Sequence, residues 1–270
     1  MKIRLNIGLA LVVSLLFLSY NSKSDDKKIV EMHTNFGTMV FELYNETPLH
    51  RDNFIKLIND KAYDSLLFHR VIENFMIQGG DPESKDAKSG EFLGEGDLKY
   101  SVKAEFRPDL FHRKGALSTA REETLDRVSS AMQFFVVQGK VFNDSLLDVA
   151  ESRINKMLAR HYVLNQPENA SLWKALKKAE EDEKKYKILN DSINALAENF
   201  TDFETYNIPQ THREVYKTEG GTPHLDQNYT VFGQVIEGFD VIDSISKVKT
   251  DARNRPIEDV RILSIHLRTN

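Results

Sequence analysis

The sequence predicts a mainly β protein, a closed antiparallel β-barrel capped by helices, with an α-helical hairpin inserted into it. Three observations predict this. Short β-type runs recur at 66–78, 101–105, 115–119, 132–138, 229–236 and 258–267, separated by turns containing Gly, Asp and Pro. Residues 29–43 read as two strand-like runs folded around Phe36-Gly37, a first β-hairpin. Between Gly139 and Thr218 the composition shifts to Leu, Ala, Lys and Glu with helical periodicity, the mark of an insertion.

After the first hairpin, Thr47 and Pro48 open a helix on which Asn53, Phe54, Leu57 and Ile58 fall at i, i+3, i+4 spacing, giving one apolar face to plug an end of the barrel. In the insertion, Ser145 with Asp148 reads as a capping box for a helix whose stripe is Leu147, Ala150, Ile154, Met157 and His161. After Pro167 a second, longer helix carries Leu172, Leu176, Ala179, Tyr186, Leu189, Ile193 and Phe200. The Lys-Glu run from Lys177 to Lys187 reads as its solvated face. The expected organisation is a signal at 1–24, a first barrel part at 25–139, the helical insertion at 140–218 and a second barrel part at 219–270.

The 270 residues are 40% hydrophobic, enough for a substantial core. A net charge of -5 with no basic stripe argues against nucleic acid as a partner. Lys2 and Arg4 precede a short apolar run from Ile7 to Leu18, the pattern of a secretory signal, with Ser22-Lys23-Ser24 as the small-x-small cleavage candidate. Export, to the periplasm, is therefore expected, with no stable membrane association once the signal is removed; an uncleaved N-terminal anchor is the alternative. The absence of Cys excludes disulfides, zinc–thiolate sites and thiol catalysis. The histidines show no metal spacing, and Gly94-Glu95-Gly96-Asp97 is too short and acidic for a phosphate loop, so neither metal nor cofactor is expected.

The most informative stretch is Phe68-His69-Arg70-Val71-Ile72-Glu73-Asn74-Phe75-Met76-Ile77-Gln78-Gly79-Gly80-Asp81. Arg70 and Gln78 supply directional donors, Phe75 and Met76 a soft apolar wall, and Gly79-Gly80-Asp81 a tight turn, a set suited to a neutral, apolar ligand bearing carbonyls. On the local pattern alone, a buried strand with a surface Arg remains an alternative.

This stretch resembles the signature FHR(I/V)I..FM.QGGD of the cyclophilin-type peptidyl-prolyl cis-trans isomerases. Gly115-Ala116-Leu117-Ser118-Thr119-Ala120, Gln133-Phe134-Phe135-Val136 and the block Leu225 to Val235 resemble further elements of that family, in the right order. The resemblance implies a cyclophilin-like barrel and a prolyl isomerase acting on proline-containing polypeptide clients as a monomer. It implies that Arg70 is the catalytic donor, held by Gln78, and that Phe75, Met76, Phe135 and Leu225 form the proline pocket. Ala120 and Gln133 would then bind the residues before proline, with Arg121, His224 and Tyr229 completing the substrate-binding set. His69 would take a supporting place, since alternation turns it away from Arg70. Met132, Ala131 and Arg121 depart from the usual residues, Tyr229 replaces a common His, and His224 stands where many eukaryotic members carry a cyclosporin-contacting Trp. These departures leave open a second reading, a peptide-binding module or holdase with little turnover.

Overall fold

The computed structural model of the chain describes residues 27–268. The expected signal at 1–24 lies outside the described residues. Among those residues, no helix is long and apolar enough to cross a membrane.

The first hairpin forms as β1 (Lys28–Thr34) and β2 (Gly37–Leu43). Their pairing runs from Lys28 opposite Leu43 to Thr34 opposite Gly37. Gly37 closes this turn at φ 131°, a conformation L-side chains rarely adopt. Helix α1 (Pro48–Asn59) follows, then the short strands β3 (Arg70–Ile72), β4 (Met76–Gly79), β5 (Ser101–Val102), β6 (Ala116–Thr119), β7 (Ser129–Ser130) and β8 (Phe134–Val137). Beyond a helical segment come β9 (Val231–Glu237), a short helix (Phe239–Ile245) and β10 (Ile262–Leu267).

Eight strands form one antiparallel sheet in the order β10-β1-β2-β9-β6-β8-β4-β3, and β5 pairs with β7 in a separate ribbon. The expected closed barrel is corrected here. The edge strands β3 and β10 do not pair, and the sheet's two ends are joined by an isolated bridge between Leu67 and Arg261 rather than by a continuous ladder. The physical reason lies in the residues between α1 and β3. Lys61 and Ser65 sit at positive φ, and this irregular backbone supplies only a few bonds to the other edge, such as Phe68 N–H to the Val260 carbonyl at 2.9 Å.

Alternation along β1 and β2 buries Val30, Met32, Met39, Phe41 and Leu43 inside this curved sheet. Helix α1 fills its open end as expected. Phe54 meets Tyr63, Phe134 and Phe232 at ring-centroid distances of 5.0, 5.7 and 5.3 Å, tilted or edge-on rather than face to face.

The expected helical hairpin is replaced by four helices, α2 (Asp144–Leu164), α3 (Ala170–Lys178), α4 (Glu183–Glu198) and α5 (Gln210–Thr218). Asn143, rather than Ser145, caps α2 by accepting from the Leu146 N–H. The long second helix breaks within the Lys-Glu run because Asp182 takes an N-cap position, accepting from the Lys185 N–H at 3.0 Å while its own N–H bonds the Ala179 carbonyl. At nine residues, α3 is too short to hold on propensity alone, and Leu176 buries against Leu164 and Ile193. Leu147, Ala150, Ile154 and Leu158 of α2 pack with Ile208 and with Tyr216 of α5, and Phe111 and Phe142 extend this cluster toward the sheet.

Candidate active site

The Phe68–Asp81 stretch folds back on itself, so that β3 and β4 place Arg70 directly opposite Gln78. Asn74 makes this turn possible at φ 63°. Cross-strand partners share a face, and the Arg70 guanidinium donates to Oε1 of Gln78 at 3.1 Å. The amide of Gln78 then donates to Oε1 of Gln133 at 3.0 Å, and Gln133 Nε2 donates to the carbonyls of Gly94 at 2.9 Å and Gly96 at 2.7 Å. Each amide is thereby fixed in one orientation by its neighbour. The chain ends on a guanidinium whose pKa is lowered by burial, opposed by the Tyr229 side chain, and which keeps its charge at neutral pH.

Immediately beside Arg70 lies a pocket of about 180 Å³ lined by Phe75, Met76, Phe135 and Leu225, with Tyr229, Ala120, Arg121 and Gln78 around it. Met76, Phe135 and Leu225 are buried and pack as one apolar cluster with Phe75 and Tyr229 against it. The Arg70 guanidinium stands 6.0 Å from the Phe75 ring centre, so charge and apolar wall share one cleft. Gln133 does not line this pocket. It lines an adjacent cavity of about 500 Å³ that shares Gln78, Ala120 and Arg121. The backbone of Ala120 is committed locally, its N–H to the Gln133 carbonyl and its carbonyl to the Ser130 N–H. Arg121 donates to the Asn228 carbonyl at 2.7 Å and stacks over the Tyr229 ring at 5.0 Å, a clamp on one wall of the cleft. His224 stacks on the outer side of Phe75 at 5.6 Å and 24°. Burial lowers its pKa to about 4, with the Arg153 charge acting in the same direction.

The turn after β4 depends on Gly80 at φ 93°, where a Cβ would stand 2.3 Å from the Met132 carbonyl oxygen. His69 is buried, and a Cβ on Gly94 would face its ring at 3.5 Å. Burial drops its pKa to about 4 despite the opposing pull of Asp81, which keeps the ring neutral at pH 7.

A buried network behind the pocket is absent from the motif reading. His112 stacks on Phe135 at 6.0 Å and 12°, its Nδ1 is 2.8 Å from Oδ1 of Asp226, and its Nε2 is 3.2 Å from Oγ of Ser118. Asp226 Oδ2 accepts from the Tyr216 hydroxyl at 2.8 Å. The arrangement has the residue types of a nucleophilic triad, but Ser118 is wholly buried and donates to the Thr230 carbonyl at 2.8 Å. It is a support for Phe135. Ser118 and Asp226 lie inside the motif blocks Gly115 to Ala120 and Leu225 to Val235, the sequence signals that touch this network; His112 and Tyr216 carry none.

The described geometry provides an apolar pocket flanked by two guanidiniums, Arg70 held by Gln78 and Arg121 held by the Asn228 carbonyl. The model of the family "Cyclophilin type peptidyl-prolyl cis-trans isomerase/CLD" matches residues 29–164 and 173–267. The chain therefore belongs to the cyclophilin-type peptidyl-prolyl cis-trans isomerases. A relative from Staphylococcus haemolyticus is 32% identical over 247 residues, 91% of this chain and 94% of its own. One from Staphylococcus aureus is 31% identical over 237 residues, 87% of this chain and 89% of its own. Both are provisionally named peptidyl-prolyl cis-trans isomerases. In three dimensions the chain is similar to a cyclophilin-type isomerase of Cryptosporidium parvum, with a TM-score of 0.53 and 20% identity over 90% of this chain and 99% of that one.

Proposed function

We propose that the protein accelerates rotation about X-Pro bonds in extended or unfolded polypeptides by binding the twisted amide more tightly than either planar isomer. The observation that carries this reading is the Arg70–Gln78 pair beside the Phe75, Met76, Phe135 and Leu225 pocket. Rotation must overcome a barrier of about 20 kcal/mol, set by amide resonance. No bond is made or broken. The catalyst therefore needs no nucleophile, base or metal, only selective binding of the transition state.

Twisting pyramidalises the prolyl nitrogen and reduces the polarity of the amide oxygen, which an apolar, water-excluding wall favours. A guanidinium aimed at the nitrogen or the prolyl carbonyl stabilises the same state, and the Gln78–Gln133 relay holds that guanidinium in place before substrate arrives. Proline would seat between Phe75, Met76, Phe135 and Leu225, with the preceding residues toward Ala120 and the Gln133 side of the cleft. The clients are exported polypeptides in this reading, supported by the signal-like pattern of Lys2, Arg4 and the apolar run Ile7 to Leu18. A protease-coupled isomerisation assay on an X-Pro peptide tests it. Acceleration above the uncatalysed rate is expected; peptide binding without acceleration would replace it by the holdase reading.

A further inference from the structure

On the outer face of the sheet, far apart in sequence, β1 and β10 bring together Glu31, His33 and His266. Glu31 stands directly opposite His266 in the antiparallel register, and His33, two residues along, shares the face of Glu31. One ligand atom from each of the three lies within 4.8 Å of the others. The Nε2 of His33 is 3.3 Å from Oε1 of Glu31. Two ligands held at about 2.0–2.1 Å from a tetrahedral zinc ion stand roughly 3.3 Å apart, so this pair already has the separation that such an ion imposes. The rings of His33 and His266 stack at 5.0 Å, and His266 is exposed, so a small turn of its side chain closes the third distance.

Two further contacts suit a ligand cluster better than a chance grouping. Thr38, opposite His33 on β2, places Oγ1 2.9 Å from His33 Nδ1. That contact fixes the ring and leaves Nε2 to face Glu31, as outer partners of metal-bound histidines do. Arg268 donates to Glu31 Oε2 at 3.3 Å and to Glu237 at 3.1 Å, so two carboxylates share one guanidinium and Glu31 keeps Oε1 turned to His33. With no Cys in the chain, imidazole is the softest strong ligand it offers.

We propose that Glu31, His33 and His266 bind a divalent transition-metal cation of the zinc class, on strands that contribute no side chain to the proline pocket. Two imidazoles and a carboxylate leave a coordination position to solvent. Calcium and magnesium, which take oxygen ligands, are excluded by the same donor set.

The test is calorimetric titration of the full chain, without a polyhistidine tag, with zinc chloride and, separately, calcium and magnesium chloride. One equivalent of zinc should bind, with no heat from the other two ions. His33→Ala and His266→Ala should each weaken zinc at least tenfold, and Thr38→Val should weaken it by about tenfold through loss of the outer contact. His266 is exposed, so its variant carries the test even where His33→Ala lowers stability. Absence of saturable zinc binding, or an affinity unchanged in His266→Ala, would overturn the proposal.

Discussion

Arg70 and Gln78 stand opposite each other across β3 and β4, and the guanidinium of one donates to the amide oxygen of the other at 3.1 Å. Eight residues of sequence become one rigid pair because the strand turns back at Asn74. The pair predicts that Arg70→Ala slows turnover of an X-Pro peptide at least tenfold, since a charged hydrogen bond is worth about 1.5–3 kcal/mol. The thermal midpoint should fall little, because Arg70 is only half-buried and forms no carboxylate pair. Equal rates for the two proteins would remove Arg70 from the mechanism.

Gln133 behaves differently, because both ends of its amide are committed. Gln133→Leu strips donors from the Gly94 and Gly96 carbonyls and an acceptor from Gln78. The expected cost is about 1–3 kcal/mol of stability for the unsatisfied groups, together with slower turnover. Gln78→Leu, at a half-buried position, should lose rate with a smaller loss of stability. Urea unfolding and the coupled assay, run on both variants, separate the two effects.

Much of this site was legible because its parts lie in short contiguous blocks. A strand, a turn at Asn74 and a second strand suffice to place Arg70 beside Gln78, and eight of the nine residues lining the small pocket lie in those blocks, with Arg121 directly after one of them. What the sequence did not disclose depends on contacts between distant segments. The use of the Gln133 amide rests on a loop at Gly94 and Gly96, and the network from His112 through Asp226 to Tyr216 joins three remote positions. The same holds for His33 and His266, whose meeting depends on the β1–β10 register rather than on spacing. The barrel seam is obscured for a converse reason, since the run at 66–78 reads as continuous strand while only 70–72 and 76–79 form strands and Leu67 makes a single bridge.

His224 stacks its imidazole on Phe75, and by the sequence resemblance it takes the place of an indole carried by drug-sensitive members of the family. An imidazole made neutral by burial replaces that ring's N–H donor with a shorter, differently placed one. Cyclosporin should therefore bind weakly, and His224→Trp should tighten it, measured by calorimetry. Submicromolar binding to the wild type, unchanged in His224→Ala, would show that this position does not control the interaction.

Acid stability should report His69. Its folded pKa is near 4, against an ordinary value of 6.5, because burial penalises the charged form. Above pH 6.5 neither state holds the proton; between 6.5 and about 4 only the unfolded chain takes it up. The contribution is therefore full above 6.5 and is lost as pH falls toward 4, at no more than about 1.4 kcal/mol per pH unit. His161 and His224 act in the same direction with smaller weight, being partly exposed. Urea midpoints across this range should fall less steeply for His69→Asn than for the wild type, and parallel curves would reject the assignment.

The helical segment supplies the last prediction, in which two deletions should behave differently. Tyr216 of α5 is wholly buried, and its hydroxyl holds the Asp226 carboxylate that in turn meets His112 beneath Phe135. Its backbone carbonyl also accepts from the Phe142 N–H, which anchors α5 at the point where the chain leaves the sheet. Replacing 140–218 by a Gly/Ser linker removes this tyrosine and leaves a buried carboxylate oxygen unpaired, at a cost of about 1–3 kcal/mol or more. Peptide turnover should fall with it, because Phe135 loses its support. Replacing only 144–209 retains Phe142, Tyr216 and its Asp226 partner but uncovers the face of Tyr216 that packs on Leu147, Ile154 and Ile208, so turnover of a short peptide should fall less than in the longer deletion. Linker length itself matters little, since closure entropy grows slowly with length. If α2 to α4 also hold long clients near the pocket, refolding of a proline-limited protein should drop further than peptide turnover in this shorter deletion. Equal losses on both substrates would make those helices purely structural, and a matching defect in Tyr216→Phe would assign the peptide-level effect to the hydroxyl alone.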